Sequence, residues 1–357
     1  MKREPSLLIL PVLCALVFTG ALAAAPASRK TEIETAIRTR VDAGKNVGIV
    51  VATLEEDGTS LVAGYGKPGP GASPLDGDSV FEIGSITKVF TATLLADMVE
   101  RGEVRLDDPV QKYLPQGVTV PQRKGRQITL VDLATHTSGL PRLPSNMAPA
   151  DPRNPYADYD AGRLYAFLES YTLTRDVGAS HEYSNLGAGL LGHALTRRAN
   201  MTYEALVTER ILVPLGMKHT AIRLTPWMKQ HLVLGHNTAG NVVSNWDLDV
   251  LEGAGALRST ANDMLRFARA NLDASTAGLP RLMRQMHAVR APTSRPELSM
   301  ALGWLIRHVD GRSVIWHNGG TAGYRTWLGF DAQRRKAAVV LTNSAHGADD
   351  LGYELLR

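Results

Sequence analysis

Cysteine is almost absent: the 357 residues contain only Cys14. Cys14 sits inside the apolar run from Leu7 to Phe18, which follows Lys2 and Arg3 and precedes small residues at Ala21 and Ala23. Basic residues, a short apolar run and an A-x-A site in that order describe a secretory signal peptide, residues 1–23, with cleavage expected near Ala23. An uncleaved anchor is the competing reading. The stretch from Leu7 to Ala25 is barely long enough to span a bilayer and contains Pro11 and Gly20, so no stable membrane span is expected after cleavage. A chain cut there has no cysteine, which excludes disulfides, thiolate metal sites and a cysteine nucleophile.

Charge of one sign is also lacking. The net charge is +4 and no long Lys/Arg run occurs, so nucleic acid is not an expected partner. The 10 histidines are scattered without H-x-x-x-H spacing, and no metal is expected. The G-x-S-x-G elbow is missing, because Ile83 stands where its first glycine belongs. Gly64, Gly66 and Gly69 match G-x-G-x-x-G. Pro68, Pro70 and Pro74 crowd the segment where a phosphate-binding helix would have to start, so the match reads as a loop.

The composition that remains, 44% hydrophobic and 21% charged, is that of a soluble globular protein large enough for a sizeable core. "TEIETAIRTRVDAG" (31–44) reads as a helix, and "VGIVVATL" and "SLVAGYG" as a hairpin joined by "EEDGT". Val89 to Arg101 has helical spacing. So do "DAGRLYAFLESY", "LGAGLLGHALTRRA", "TYEALVTERILVPLG" and "TANDMLRFARANL" further on. Near the end, "ALGWLIRHV" and "RSVIWHN" flank Asp310-Gly311 as a second hairpin. "RTWLGFD" and "KAAVVLTNS" give two more strands, and "ADDLGYELLR" a short helix. Strands at both ends and helices between imply one α/β domain, 24–357. Both chain ends supply an antiparallel sheet (about 29–92 and 295–357), flanked by terminal helices, with a mainly helical part (about 93–294) inserted.

Three stretches carry chemistry. In "FEIGSITKVF" (81–90), Ser85 and Lys88 fall one turn apart at a strand-to-helix junction. Unpaired N–H groups and the dipole there favour an alkoxide, and an amine within reach can take the hydroxyl proton. The bland reading is a capping serine beside a solvated lysine. In "HEYSNLG", Tyr183 and Asn185 fall on the same side of an extended segment. The bland reading there is a loop tyrosine and an Asn N-cap. In "IWHNGGTAGY" (315–324), a strand carrying His317 runs into Gly319 and Gly320, which permit close backbone approach.

In this order, S-I-T-K, Y-S-N and H-N-G resemble the motifs of the penicillin-recognising serine hydrolases, in the branch of class C β-lactamases, DD-peptidases and esterases. "LVDLATHTSGLP", "VTERILVPLGMKHT" and "NGGTAGYRTWLGFD" are similar too, and the resemblance runs from about Thr31 to Arg357. It implies a β-lactamase/transpeptidase-like fold and catalytic residues Ser85 (acylated nucleophile), Lys88 (its activator), Tyr183 (proton carrier) and His317. It implies Asn185, Gly319 and Gly320 at the substrate and an oxyanion hole from the N–H groups of Ser85 and Gly320, with no cofactor. His317 stands where β-lactamases usually have lysine, and it carries a positive charge only when protonated. Arg325, five residues past Gly320, is a candidate to take over a substrate carboxylate, and the competing reading is a surface arginine on a strand. The implied activity is an exported, periplasmic or secreted D-alanyl-D-alanine carboxypeptidase/endopeptidase on peptidoglycan peptides, with a monomer favoured. The alternatives are a class C-type β-lactamase, an esterase or D-amino-acid amidase, and a non-catalytic penicillin-binding receptor.

Overall fold

A computed structural model describes residues 28–69, 73–309 and 311–357. The expected signal peptide, 1–23, and Asp310 of the expected Asp-Gly turn lie outside the described residues. The strands are β1 (Gly48–Leu54), β2 (Ser60–Gly66), β3 (Val80–Glu82), β4 (Arg258–Thr260), β5 (Ala291–Pro292), β6 (Leu298–Met300), β7 (Leu305–Val309), β8 (Arg312–Gly320), β9 (Arg325–Asp331) and β10 (Lys336–Thr342). The helices are α1 (Arg29–Asp42), α2 (Thr87–Glu100), α3 (Leu130–Ala134), α4 (Ala161–Ser170), α5 (Asn185–Ala199), α6 (Tyr203–Val207), α7 (Pro226–His231), α8 (Ala261–Leu272), α9 (Gly278–Gln285) and α10 (Asp349–Leu355).

Eight strands form one antiparallel sheet in the order β2-β1-β10-β9-β8-β7-β6-β5. β1 joins β10 in the register Ile49↔Thr342 to Leu54↔Ala337, so strands from early and late in the sequence are neighbours in this sheet. Every residue of β1 and β10 is buried, because both faces of the sheet are covered. Their sequences are therefore nearly continuous apolar runs rather than alternating ones. The side chains still divide by strand periodicity. Ile49, Val51 and Val340 pack outward with Ile33 and Ile37 of α1, Leu351 and Leu355 of α10, and Trp327. Val50, Val339 and Leu341 pack inward against the larger core shared with α2 and α8, where Phe90 stacks on Phe267 with ring centroids 4.2 Å apart. α2 is buried almost all round, from Thr87 to Leu95. Such a helix belongs at the centre of a domain, and the sheet and the helical region hold it from both sides.

Two details depart from the sequence expectation. β4 and β5 fall inside the stretch expected to be helical; they span three and two residues, too short for a recognisable alternation. "TYEALVTERILVPLG" is also not one α-helix. α6 passes at Thr208 into a π-turn through Leu212, where Val213 N donates to Thr208 O at 2.9 Å. Pro214 then follows with no N–H to continue any helical ladder. β3 and β4 pair as a separate two-stranded sheet in the register Glu82↔Arg258, and β3 leads directly to the serine motif.

Candidate active site

Gly84–Ile86 form a 3₁₀ turn that runs into α2. Ser85 caps nothing: neither the turn nor α2 has a side-chain N-cap bond, which removes the bland reading of this serine. Gly84 adopts a left-handed φ of 50°, and a Cβ there would lie 2.7 Å from Gly320 N. A Cβ on Gly319 would lie 1.9 Å from Ile83 O. Thr326 Oγ1 donates to the same carbonyl at 2.9 Å. Glycine at both positions is what allows the end of β8 to lie against the turn bearing Ser85.

Lys88 is 4% exposed. Its Nζ donates to Ala254 O at 2.6 Å and lies 3.1 Å from Ser85 Oγ. Burial first, and the Arg142 charge second, hold its pKa well below that of an ordinary lysine. As an ammonium, Nζ donates to Ser85 Oγ; as a free amine, it keeps the bond to Ala254 O and offers a lone pair to the Ser85 hydroxyl. Thr87 and Thr91 anchor the same wall, through Leu257 N→Thr87 Oγ1 at 3.2 Å and Thr91 Oγ1→Gly253 O at 2.7 Å.

Tyr183 faces this pair. Lys88 Nζ lies 4.9 Å from its ring centroid and Arg142 Cζ 5.0 Å from it. Burial pushes the phenol up to about 12, partly offset by the Ser85 hydroxyl and the Arg142 charge. It is a neutral phenol near neutral pH, able to receive and pass on a proton. Ser184 is the N-cap of α5, accepting from Gly187 N at 2.8 Å. Asn185 is thus the first residue of the helix rather than its cap, and it lines the cavity beside Tyr183.

His317 lies on β8, 1% exposed, its ring centroid 6.4 Å from that of Tyr183. It does not line the open cavity. Burial, and next the Lys88 charge, hold its pKa down to about 4, so it is neutral where a lysine would be charged. Its Nδ1 lies 2.6 Å from Asn318 O. A carbonyl accepts only, so Nδ1 carries the proton and Nε2 keeps a free lone pair. This burial leaves the imidazole without the positive charge that protonation would give it. Cationic charge at the cavity comes instead from Arg142 and Arg325, which line it together with Ser85, Asn185, Gly319 and Gly320. The cavity holds about 530 Å³, and among the described residues no carboxylate lines it. Arg325 is held by Nη1 bonds to Thr321 O (2.6 Å) and Tyr324 O (2.8 Å).

A profile of the beta-lactamase family matches residues 33–356. The chain belongs to the beta-lactamase family. Members of that family are serine hydrolases, and this protein is one of them. D-alanyl-D-alanine-carboxypeptidase/endopeptidase AmpH of Escherichia coli (strain K12) is 29% identical over 381 residues, covering 99% of this chain and 97% of its own. A Beta-lactamase of the same strain is 30% identical over 266 residues, covering 73% of this chain and 66% of its own. A class C beta lactamase from Rhodobacter sphaeroides superimposes with a TM-score of 0.77 at 25% identity, covering 90% of this chain and 97% of that one. The mixed α/β fold with its large antiparallel sheet is the class C fold.

Several site residues escaped the sequence reading of this family member. His136 has a left-handed φ of 58°. Its Nδ1 accepts from Ser184 N at 3.2 Å and its carbonyl from Glu182 N at 2.8 Å, and its ring centroid lies 4.7 Å from that of Tyr183. It braces the Tyr183 segment on both sides. The signal was a histidine in "THTSG", a polar turn wedged between apolar runs. Tyr156 and Trp246 also line the cavity, with ring centroids 5.3 Å apart. Tyr156 lies in the "DPRNPYADYD" loop, residues 151–160. Nothing in the sequence ties Ala254 or Trp246 to the site.

Proposed function

We propose that this protein is an exported D-alanyl-D-alanine carboxypeptidase/endopeptidase that works through an acyl-enzyme on Ser85. The observation that carries the reading is the charge of the cavity: Arg142 and Arg325 line it with Ser85, and among the described residues no acidic side chain does. A peptide ending in D-Ala brings a carboxylate to the scissile bond, and this rim complements it. The near-complete mutual coverage with the E. coli carboxypeptidase/endopeptidase supports the same reading.

The proposed course uses groups already in place. The Lys88 amine takes the Ser85 proton as Oγ attacks the carbonyl. The oxyanion falls between the N–H groups of Ser85 and Gly320, donors that in other enzymes are worth on the order of 10² to 10³ in rate. The Tyr183 phenol passes the proton to the leaving D-Ala amine. His317, with its proton on Nδ1, stays neutral behind this pair. Water then attacks the ester and frees Ser85. Asn185, the first residue of α5 and on the cavity wall, would bind a substrate amide.

A second reading, efficient β-lactam turnover, is favoured by the relatives and solved structures named as beta-lactamases. The two differ in how quickly water reaches the acyl-enzyme. Turnover of a D-Ala-D-Ala peptide, a chromogenic cephalosporin and a p-nitrophenyl ester is compared on one preparation, with Ser85→Ala as control. Peptide release with stable fluorescent-penicillin labelling is expected. Fast cephalosporin turnover without peptide release overturns the peptidase reading; undiminished labelling of Ser85→Ala overturns the nucleophile.

A further inference from the structure

The cavity has one aromatic wall, formed by residues from segments far apart in sequence. Tyr156 lies in the loop of residues 151–160 and Trp246 precedes Leu248 of another loop. Both line the space above Ser85. Neither loop is a helix or strand at these positions, so regular hydrogen bonding does not fix the wall.

A reciprocal pair of hydrogen bonds links the two loops. Asn154 Nδ2 donates to Asp247 Oδ2 at 3.1 Å, and Asp247 N donates to Asn154 Oδ1 at 2.8 Å. Asp247 is not left to solvent on its inner side. Its Oδ1 accepts from Arg258 Nη2 at 3.0 Å, and the same Nη2 donates to Trp246 O at 2.8 Å. Glu82 Oε1 accepts from Trp246 N at 2.9 Å and lies 3.3 Å from Arg258 Nη2. Glu82 ends β3, the strand that leads to Ser85. The chain Asn154–Asp247–Arg258–Glu82 thus runs from the outer loop to the strand bearing the nucleophile turn.

We infer that Asn154 and Asp247 are positioning residues: their clasp holds Tyr156 against Trp246 and so sets which substrate flanks the Ser85 site accepts. The inference rests on the reading of Ser85 as the acylated residue. Asn154 touches neither the nucleophile nor the cavity, and Asp247 is 67% exposed, so the clasp acts through the wall and not on the reacting atoms. A substrate bearing a planar or apolar group next to the scissile carbonyl gains from a fixed aromatic surface. A substrate with a methyl in that place has nothing to lay against it.

The test breaks the clasp and then restores it. Asn154→Asp replaces the amide donor facing Asp247 Oδ2 by an acceptor and sets two carboxylates against each other. The exchange Asn154→Asp with Asp247→Asn restores two bonds, both now donated from position 247, by its backbone N–H and its new amide, to the carboxylate at position 154. Steady-state kinetics are measured with an N-dansylated peptide ending in D-Ala-D-Ala and with p-nitrophenyl acetate. The single variant is expected to lose about tenfold in kcat/KM on the dansyl peptide, chiefly in KM, and less than about twofold on the acetate. The exchange variant recovers the peptide to within about twofold. Equal losses on both substrates, no loss on the peptide, or no recovery in the exchange variant each overturn the inference. Failure of the underlying reading is separate: Ser85→Ala then retains the wild-type hydrolysis of both substrates.

Discussion

His317 offers the sharpest test, because its environment assigns it a charge state opposite to that of a lysine. In the folded protein its pKa is held to about 4, against 6.5 for a free imidazole. Between those values the unfolded chain binds a proton that the native chain refuses. Its contribution to stability is therefore intact above pH 6.5 and lost as pH falls toward 4. A shift of this size is worth on the order of 3 kcal/mol in total, about 2 kcal/mol of it between pH 7 and 4.5. His136, His193 and His287 are shifted in the same direction, so the informative quantity is a difference. Urea unfolding of the wild type and of His317→Gln at pH 7 and 4.5 isolates it. The variant is expected to lose about 2 kcal/mol less stability on acidification. The same burial requires KM for a carboxylate-bearing substrate to stay flat from pH 6 to 8. Nitrogen NMR should find the Nδ1–H tautomer, fixed by Asn318 O. An unchanged acid dependence in the variant, a KM that climbs with pH, or the Nε2–H tautomer would refute the reasoning.

Two further outcomes are expected. Because Lys88 is held well below its ordinary pKa, the acylation rate should rise with pH along a limb below 10.5. Lys88→Arg, which cannot lose its proton, should abolish that limb and lower the rate by at least about 10²; an unaltered stopped-flow profile contradicts this. Arg258→Met leaves the 3%-exposed Glu82 without its cation and should cost about 3–5 kcal/mol in urea unfolding, with part regained by adding Glu82→Gln.

The outer parts of the fold were legible because local rules and tertiary need agree there. β1, β2, β9 and β10 are short, largely apolar runs bounded by turn residues, and α8 is announced by Thr260, whose Oγ1 accepts from Asp263 N at 3.2 Å. Ser85, Lys88 and Tyr183 were legible through their motifs, although each stretch alone reads as an ordinary cap or loop. What was hidden depends on distance. β4 has meaning only because Arg258 lies opposite Glu82, and Ala254 matters only because its carbonyl meets Lys88. The neutrality of His317 was hidden for the same reason: a histidine's charge is decided by what surrounds it, and its surroundings come from other segments.

The pairing of β1 with β10 has a consequence for how the protein is made. Ile49 finds Thr342 only after nearly 300 intervening residues (49 to 342), so β1 and α1 leave the ribosome long before their partner exists. The β8 segment that closes around Gly84 is likewise made late. Loop closure over such a separation is slow relative to local helix formation, and a nascent chain lacking the last strands has no completed site around Ser85. Hydrolytic competence therefore waits for β8 to β10. A chain cut short before β10 would expose the inner edge of β1, an edge that invites pairing with another copy.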